Sequence, residues 1–384
     1  MEQQNGHAPD HAADLKGKDP DATDFANYFC TYAFLFHQKE MLEDHKRTGA
    51  YYTAIMQNQA QFRDKVVLDV GAGSGILAIF AAQAGARKVY AVEATAVAQH
   101  ARKLVQHNRL GGIISVIQGT IETVELPEKV DIIVSEWMGY FLLRESMLDS
   151  VLVARDKFLK PGGALYPSHA RLYVAPIRSN LTHQRQREFS NAMEGWAGFT
   201  NDMQRYYGVR MDCLNDAFHD EQKQYYQQTS AWADISPQQL AGRPWCFKQY
   251  DLLKVTQQEI IDSFKEHFEL QIVEAAPIEA FAGFFDVQFK GSPENPASFE
   301  VLLSTAPDPD CGTHWGQQVF HLYPPINAQP GDRISGDISI SRKKENHRLM
   351  RVIFQHRTTP NQPQPQAAGM KLQSTDRTDF YSIE

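Results

Sequence analysis

From Asp24 onward, bulky apolar residues fall at three- and four-residue steps, at Phe25, Tyr28, Phe29, Tyr32, Leu35 and Phe36. That spacing lines up one face of a helix. The periodicity breaks near Gly49 and resumes after it. Three short apolar runs with acidic residues at or near their ends follow: VVLDV (66–70), KVYAVE (88–93) and VDIIVSE (130–136). The helical stretches ILAIFAAQAG and ATAVAQHARKLVQHN separate them. Strands alternating with helices predict a parallel sheet covered on both faces. KPGGALYP (160–167) reads as the turn that closes this half. Residues 178–228 are helical in composition, rich in Gln, Asn and Tyr, and carry Trp196, Phe199, Tyr206 and Tyr207. After Pro237 come the β-type runs FDVQF, FEVLLST, QVFHLY, ISGDISIS and LMRVIFQ, separated by Pro, Gly and Asn turns. They predict an antiparallel barrel or sandwich. Residues 1–22 read as a disordered polar leader, and TTPNQPQPQAAG (358–369) as a flexible connector before DFYSIE.

Composition narrows the class. Of the 384 residues 42% are hydrophobic and 11% aromatic, which excludes global disorder. Cys30, Cys213, Cys246 and Cys311 have no short pairing, so neither a disulfide scaffold nor a CxxC zinc site is expected, and no metal. No apolar run approaches the ~18 residues of a membrane span. MEQQNGHAPDHAADLKGKDP lacks the apolar core of a secretory signal. The expectation is a soluble chain in a reducing compartment. A net charge of −8 argues against a nucleic-acid binder and leaves basic partners open.

VLDVGAGSGILA sets Gly71, Gly73 and Gly75 between a strand and a helix. Glycines there let the backbone turn sharply and approach a ligand at the positive end of a helix. A dinucleotide fingerprint needs its third glycine one place later, where Ile76 stands, and no Gly-Lys-Ser/Thr follows. Glu93 ends the next strand, where a carboxylate accepts ribose hydroxyls. Asp69 either orients the loop or faces the cationic end of a ligand. It would repel a pyrophosphate. An adenosine with a cationic extension is the expected ligand, so S-adenosylmethionine fits and a nicotinamide cofactor fits poorly.

Glu136 lies at the carboxyl end of the third apolar run, and Glu145 follows nine residues later in SEWMGYFLLRESM. Ligands of open α/β sheets bind outside those strand ends. Two crowded carboxylates repel unless a cation lies between them, and a planar guanidinium suits them best. SEWMGYFLLRESM resembles the double-glutamate loop of the protein arginine methyltransferases. YFCTY (28–32), HQKEMLEDHKR (37–47), VLDVGAGSGILA with VYAVEA, and THWGQQVF (313–320) agree with that resemblance. It runs from about Asp24 to the C-terminus. LLRESM and Cys30 are closest to the plant branch called arginine methyltransferase ten.

The resemblance implies an α/β fold: a Rossmann-like S-adenosylmethionine-binding domain with its N-terminal helices over residues 23–170, then an antiparallel β-barrel domain over 171–384. Residues 178–228 would be the arm of a head-to-tail homodimer. Arg47 would pair with the methionine carboxylate, Glu93 would hold the ribose, and Glu122 would lie beside the adenine. His37 and Met41 would close over the cofactor, with Tyr28 and Tyr32 lining the site; helical core packing is the plainer account of the two tyrosines. Glu136 and Glu145 would hold the substrate guanidinium, with Tyr32, Met147 and Trp315 in its binding site. His314 and Asp44 would form a base-like dyad or only pin the helix against the barrel. Met41, Met147 and the THW loop resemble enzymes that make asymmetric dimethylarginine. Arginine-bearing proteins, Gly/Arg-rich proteins or histones among them, are the expected partners, in nucleus or cytoplasm, without membrane or direct nucleic-acid contact. Cys30 and Arg144 depart from animal relatives, which carry an acid and an aromatic there. Three alternatives compete. The first is a methyltransferase for another nucleophile, such as a small amine or a nucleic acid, although base methyltransferases typically carry an Asn/Asp-Pro-Pro-aromatic motif where Ser-Glu-Trp-Met stands. A scaffold binding S-adenosylmethionine or arginine tails without turnover would not need both glutamates, Arg47 and His314. A nicotinamide oxidoreductase fails on Ile76.

Overall fold

The computed structural model describes residue 29, residues 32–361 and residues 376–384. Tyr28 and Cys30 lie outside them. The first half is a five-stranded parallel sheet, in the order β3-β2-β1-β4-β5. Its strands are β1 (Val66–Val70), β2 (Lys88–Glu93), β3 (Ile114–Gln118), β4 (Val130–Val134) and β5 (Leu159–Tyr166). Every residue of β1 is buried, as expected for the middle of a sheet covered on both faces. The helix Ile76–Gln83 buries five of its eight residues against the sheet.

The second half consists of two antiparallel sheets. One has the order β7-β12-β10-β6-β8, with β11 paired to β10, and the other the order β15-β14-β13-β9. These strands are β6 (His169–Ile177), β7 (Ala231–Ala233), β8 (Trp245–Asp251), β9 (Phe264–Gln271), β10 (Ala276–Gly291), β11 (Pro296–Ser304), β12 (Gln317–Ala328), β13 (Arg333–Arg342), β14 (Met350–Thr359) and β15 (Arg377–Ile383). Phe281 and Phe320 of the first sheet meet Phe268, Phe354 and Tyr381 of the second, so one aromatic core joins the sheets. Between β6 and β7 the helices Asn180–Tyr207 and Asn215–Gln227 pair with each other through a stacked Trp196–Phe218 contact at 4.3 Å. The first buries only Thr182 and the second nothing.

Three expectations are corrected. The helical break falls at Asp44 and not at Gly49, because the Asp44 carboxylate caps the helix His45–Met56 by accepting from the Arg47 amide at 2.9 Å. KPGGALYP is no turn: Leu159–Tyr166 pairs in parallel with β4, burying Ala164, Leu165 and Tyr166. ISVIQ adds β3 beyond the three runs read in the sequence. Its half-buried edge position masks the continuous apolar run of a central strand.

Candidate active site

A cavity of about 540 Å³ opens over the carboxyl ends of β1, β2 and β4. Its floor is the turn after β1. Gly71, Gly73 and Gly75 take φ of +68°, +52° and +85°, left-handed values that glycine adopts without strain. The Gly73 amide donates to Glu93 Oε2 at 2.8 Å, and the Ser74 amide to Gln38 Oε1 at 3.0 Å. Behind the loop, Asp69 Oδ2 accepts from the Ala78 amide at 3.0 Å and fixes the start of the following helix. Burial, chiefly, together with the neighbouring Glu93, pushes the Asp69 carboxyl up to about 7 against the pull of that amide.

The roof is the segment from Glu136 to Ser146. Phe141, Leu142, Glu145 and Ser146 all have positive φ (+50° to +82°), a cost that only surrounding contacts sustain. Those contacts come from distant parts of the chain. Trp315 Nε1 donates to the Met138 carbonyl at 2.9 Å, and Phe141 packs on Phe247 and Phe320. Gly283 leaves room for it: a Cβ there would stand 2.5 Å from Phe141 Cε2. From the β13–β14 hairpin, the Arg348 carbonyl accepts from the Glu145 amide at 2.9 Å, Arg348 Nη1 donates to the Glu145 carbonyl at 2.6 Å, and the His347 carbonyl accepts from Ser146 Oγ at 2.7 Å.

Both glutamates face groups of their own chain. Glu136 Oε2 accepts from Arg47 Nε at 3.0 Å and Nη2 at 2.5 Å, in a pair whose side chains are each 12% exposed. Arg47 is itself steadied by donating from Nη1 to the Met41 carbonyl at 2.8 Å. Glu145 Oε2 accepts from the Tyr32 hydroxyl at 2.7 Å, and Oε1 from Arg144 Nη1 at 3.3 Å. Each of the two carboxylates is thus in contact with a guanidinium of the same chain, the partner whose planar fork suits a carboxylate best.

Tyr32, Met41, Arg47, Gly71, Gly73, Glu93, Glu122, Glu136, Glu145 and Met147 converge on the cavity. Glu122 accepts from Ser150 at 2.7 Å, and the Met147 methyl rests on Gly71. The remaining residues stand off the cavity lining, which corrects the expected positions of His37, Gly75 and Trp315, whereas Asp69 takes the loop-orienting alternative. Asp69 lies beneath the loop, since a buried acid there is needed by the helix amide. Gly75 turns the backbone behind the cavity lining. His37 pairs with Glu40 at 3.3 Å, because helical phase hands the inward position to Gln38. Trp315 is buried beneath the roof, edge-on to Phe285. Asp44 Oδ2 accepts from the His314 amide at 2.9 Å and contacts His314 Nδ1 at 2.7 Å, and neither residue lines the cavity. Burial alone would raise the Asp44 carboxyl, but the bonds from His314 and the Arg47 amide outweigh it and hold the group below the ordinary carboxylate value. Sequence reasoning missed Gln38, whose neighbour His37 drew attention in the same motif. It also missed His347 and Arg348, for which the sequence carries no signal.

The comparisons with known proteins agree with this geometry. A family model described as the arginine methyltransferase oligomerization subdomain matches residues 168–362, and one described as ribosomal protein L11 methyltransferase (PrmA) matches residues 44–168. Protein arginine N-methyltransferase PRMT10 of Arabidopsis thaliana is 51% identical over 355 residues, covering 91% of this chain and 93% of that protein. Its namesake in Oryza sativa subsp. japonica is 53% identical over 331 residues, covering 86% and 87%. The chain belongs to the protein arginine N-methyltransferase family. Among solved structures of the family, that of Arabidopsis thaliana protein arginine methyltransferase 10, described as uniquely open, superposes with a TM-score of 0.88 at 48% identity, covering 93% of this chain and all of that one. The Trypanosoma brucei PRMT1 enzyme–prozyme heterotetrameric complex with AdoHcy gives 0.75 at 30% identity, covering 92% of this chain and 100% of that one.

S-adenosylmethionine fits the donor set. Glu93 and Glu122 offer carboxylate acceptors to the cavity, the glycine turn permits close backbone approach, and Glu136 and Glu145 add negative charge to the same lining. Each Glu93 oxygen that accepts from Gly73 or Thr95 keeps a second lone-pair site for a hydroxyl. Among the described residues no three His, Cys, Asp or Glu side chains are placed to hold a metal ion, and no helix is long and apolar enough to cross a membrane.

Proposed function

We propose that this chain, which transfers methyl groups from S-adenosylmethionine to protein arginine, adds both methyls to one terminal nitrogen and so produces monomethyl- and then asymmetric dimethylarginine. The observation that carries this reading is the strained loop that presents Glu136 and Glu145 to one cavity with the glycine turn opposite. When bound, the cofactor supplies an electrophilic methyl on a cationic sulfur that departs as a neutral thioether. Glu136 and Glu145 hold the substrate guanidinium, draw its positive charge toward themselves, and leave one terminal nitrogen richer in electron density. Little proton transfer is needed first, so positioning and electrostatics supply most of the rate, and the methylated nitrogen then gives up its one surplus proton to water. Met41 and Met147, adaptable apolar walls, leave room for a second methyl. We assign His314 and Asp44 to pinning the helix His45–Met56 against the THW loop, since both the amide and the ring of His314 meet Asp44. That pin also steadies Arg47, three residues on.

The family resemblance and the exposed aromatics favour a head-to-tail homodimer. Tyr206 and Tyr207 on the arm are 64% and 73% exposed, and Phe34 and Phe36 at the N-terminal helix 63% and 64%. The proposed substrates are Gly/Arg-rich proteins and histones, drawn by the acidic net charge and met in nucleus or cytoplasm. Incubation with labelled cofactor and a Gly/Arg-rich peptide, with the methylarginine isomers resolved, tests the reading. Asymmetric dimethylarginine is expected. Glu136→Gln should cut turnover by about a thousandfold while cofactor still binds, the scale of losing a preorganised charge. Symmetric product, or undiminished turnover in that variant, overturns it.

A further inference from the structure

Each glutamate of the roof carries a guanidinium of its own chain, but the two are held differently. Arg47 meets Glu136 through two nitrogens, is anchored by the Met41 carbonyl, and lines the cavity. Arg144 reaches Glu145 through one nitrogen at 3.3 Å, is 24% exposed, and does not line the cavity that Glu145 lines. Its guanidinium sits 5.7 Å from the centre of the Tyr140 ring, which fixes it beside the carboxylate, and its Nε is buried without an acceptor. A cation so placed neutralises part of the charge that Glu145 can offer a substrate from the other side.

We propose that Arg144 is a specificity-determining residue: a resident counter-cation that weakens the hold of Glu145 on the substrate guanidinium and lets the monomethylated product leave early. This rests on the reading that Glu145 holds the substrate arginine. It goes beyond that reading in assigning a second, opposing charge to the site. Two consequences follow from the geometry. Peptide affinity is set below what the two carboxylates alone would give. A target arginine flanked by further Lys or Arg meets an additional like charge at the roof, so neutral, Gly-rich flanks are favoured over basic ones.

The test is steady-state kinetics of Arg144→Gln and Arg144→Lys with a Gly-Arg-Gly peptide and a Lys-flanked one, with cofactor affinity measured alongside. In Arg144→Gln, KM for the Gly-flanked peptide should fall about fivefold, the scale of one partly exposed ion pair. KM for the Lys-flanked peptide should fall further, and the dimethyl share of early product should rise. Arg144→Lys, which keeps the charge, should retain most of the higher KM. Unchanged or raised KM in Arg144→Gln with cofactor binding intact overturns the proposal, as does an equal effect of both substitutions, because packing alone would not distinguish charge. If the Gln variant fails to fold, Arg144→Met, apolar and unbranched, serves in its place. Glu145→Gln separates the two ideas: full activity there sinks the reading of Glu145 itself, whereas a dead Glu145→Gln beside an unmoved Arg144→Gln sinks only the counter-cation.

Discussion

The glycine turn and the double-glutamate loop face one another across the same cavity, and they are supported in opposite ways. The glycine turn leans on nearby sequence: Gly73 on Glu93, 20 residues on, and Ser74 on Gln38, 36 residues back. The glutamate loop leans on Arg47, 89 residues away, on Trp315, 177 away, and on His347 and Arg348, more than 200 away. The charges differ in the same sense. Asp69 is buried behind the glycine turn with an oxygen that has no partner, while Glu136 and Glu145 each meet a guanidinium. The glycine turn is therefore assembled from one βαβ unit and a single side chain, Gln38, of the N-terminal helix. The glutamate loop draws its support from both halves of the chain.

That contrast can be broken from either side. The largest expected effect is on Asp69. Its folded-state carboxyl titrates near 7 against about 3.8 when unfolded, so the folded state binds the extra proton between those values. Its contribution to stability is complete below pH ~4 and is lost as pH rises toward 7, a span of about 4 kcal/mol. Denaturant melts across pH 4–7 should show Asp69→Asn, which keeps the acceptor for Ala78, with a flatter profile than the parent by that order. Parallel profiles would mean that Asp69 is better solvated than its burial indicates. Next comes Gly73→Val, where a Cβ would stand 2.6 Å from Gln38 Oε1 on a backbone at φ +52°. Strain and crowding should weaken cofactor affinity about a hundredfold, with turnover recovering at saturating cofactor. Calorimetric titration reads it, and normal affinity would show that the turn is more pliant than the contrast requires. The smallest is Tyr32→Phe, which removes a hydroxyl from Glu145 at 2.7 Å. Turnover should drop about tenfold with cofactor affinity unmoved, as for one charge-assisted hydrogen bond. A matching loss of cofactor affinity would place Tyr32 on the other side of the cavity.

The half of the site made by local sequence was legible from that sequence. VVLDV followed by GAGSG carries both the buried strand and the left-handed turn, and Glu93 arrives one strand later because a βαβ unit has a fixed length. Glu136 was legible for the same reason, as the end of β4. Asp69 and His37 show where the method stops. A carboxylate before a glycine turn reads equally as ligand or as helix anchor, and only the Ala78 amide decides between them. A run of four consecutive polar residues, His37 to Glu40, gives no sign whether His37 or Gln38 points inward. KPGGALYP reads as a turn because Pro161, Gly162 and Gly163 are turn residues, although Ala164, Leu165 and Tyr166 are buried in the sheet.

By itself the sequence determined the alternation of β1, β2 and β4 with helices, the glycine turn with its acidic partner, and the pair of glutamates that a guanidinium suits. These follow from short-range rules: side-chain period, left-handed glycine, and the fixed position of strand ends. The tertiary structure alone decided that Arg47 and Arg144 neutralise those glutamates, that Trp315 supports the roof from below, and that the β13–β14 hairpin sustains Glu145 and Ser146 in left-handed backbone. Those contacts join residues 89 to 203 positions apart, apart from the adjacent Arg144. No local pattern encodes them, because the free energy that selects them is the burial and hydrogen bonding of the whole chain.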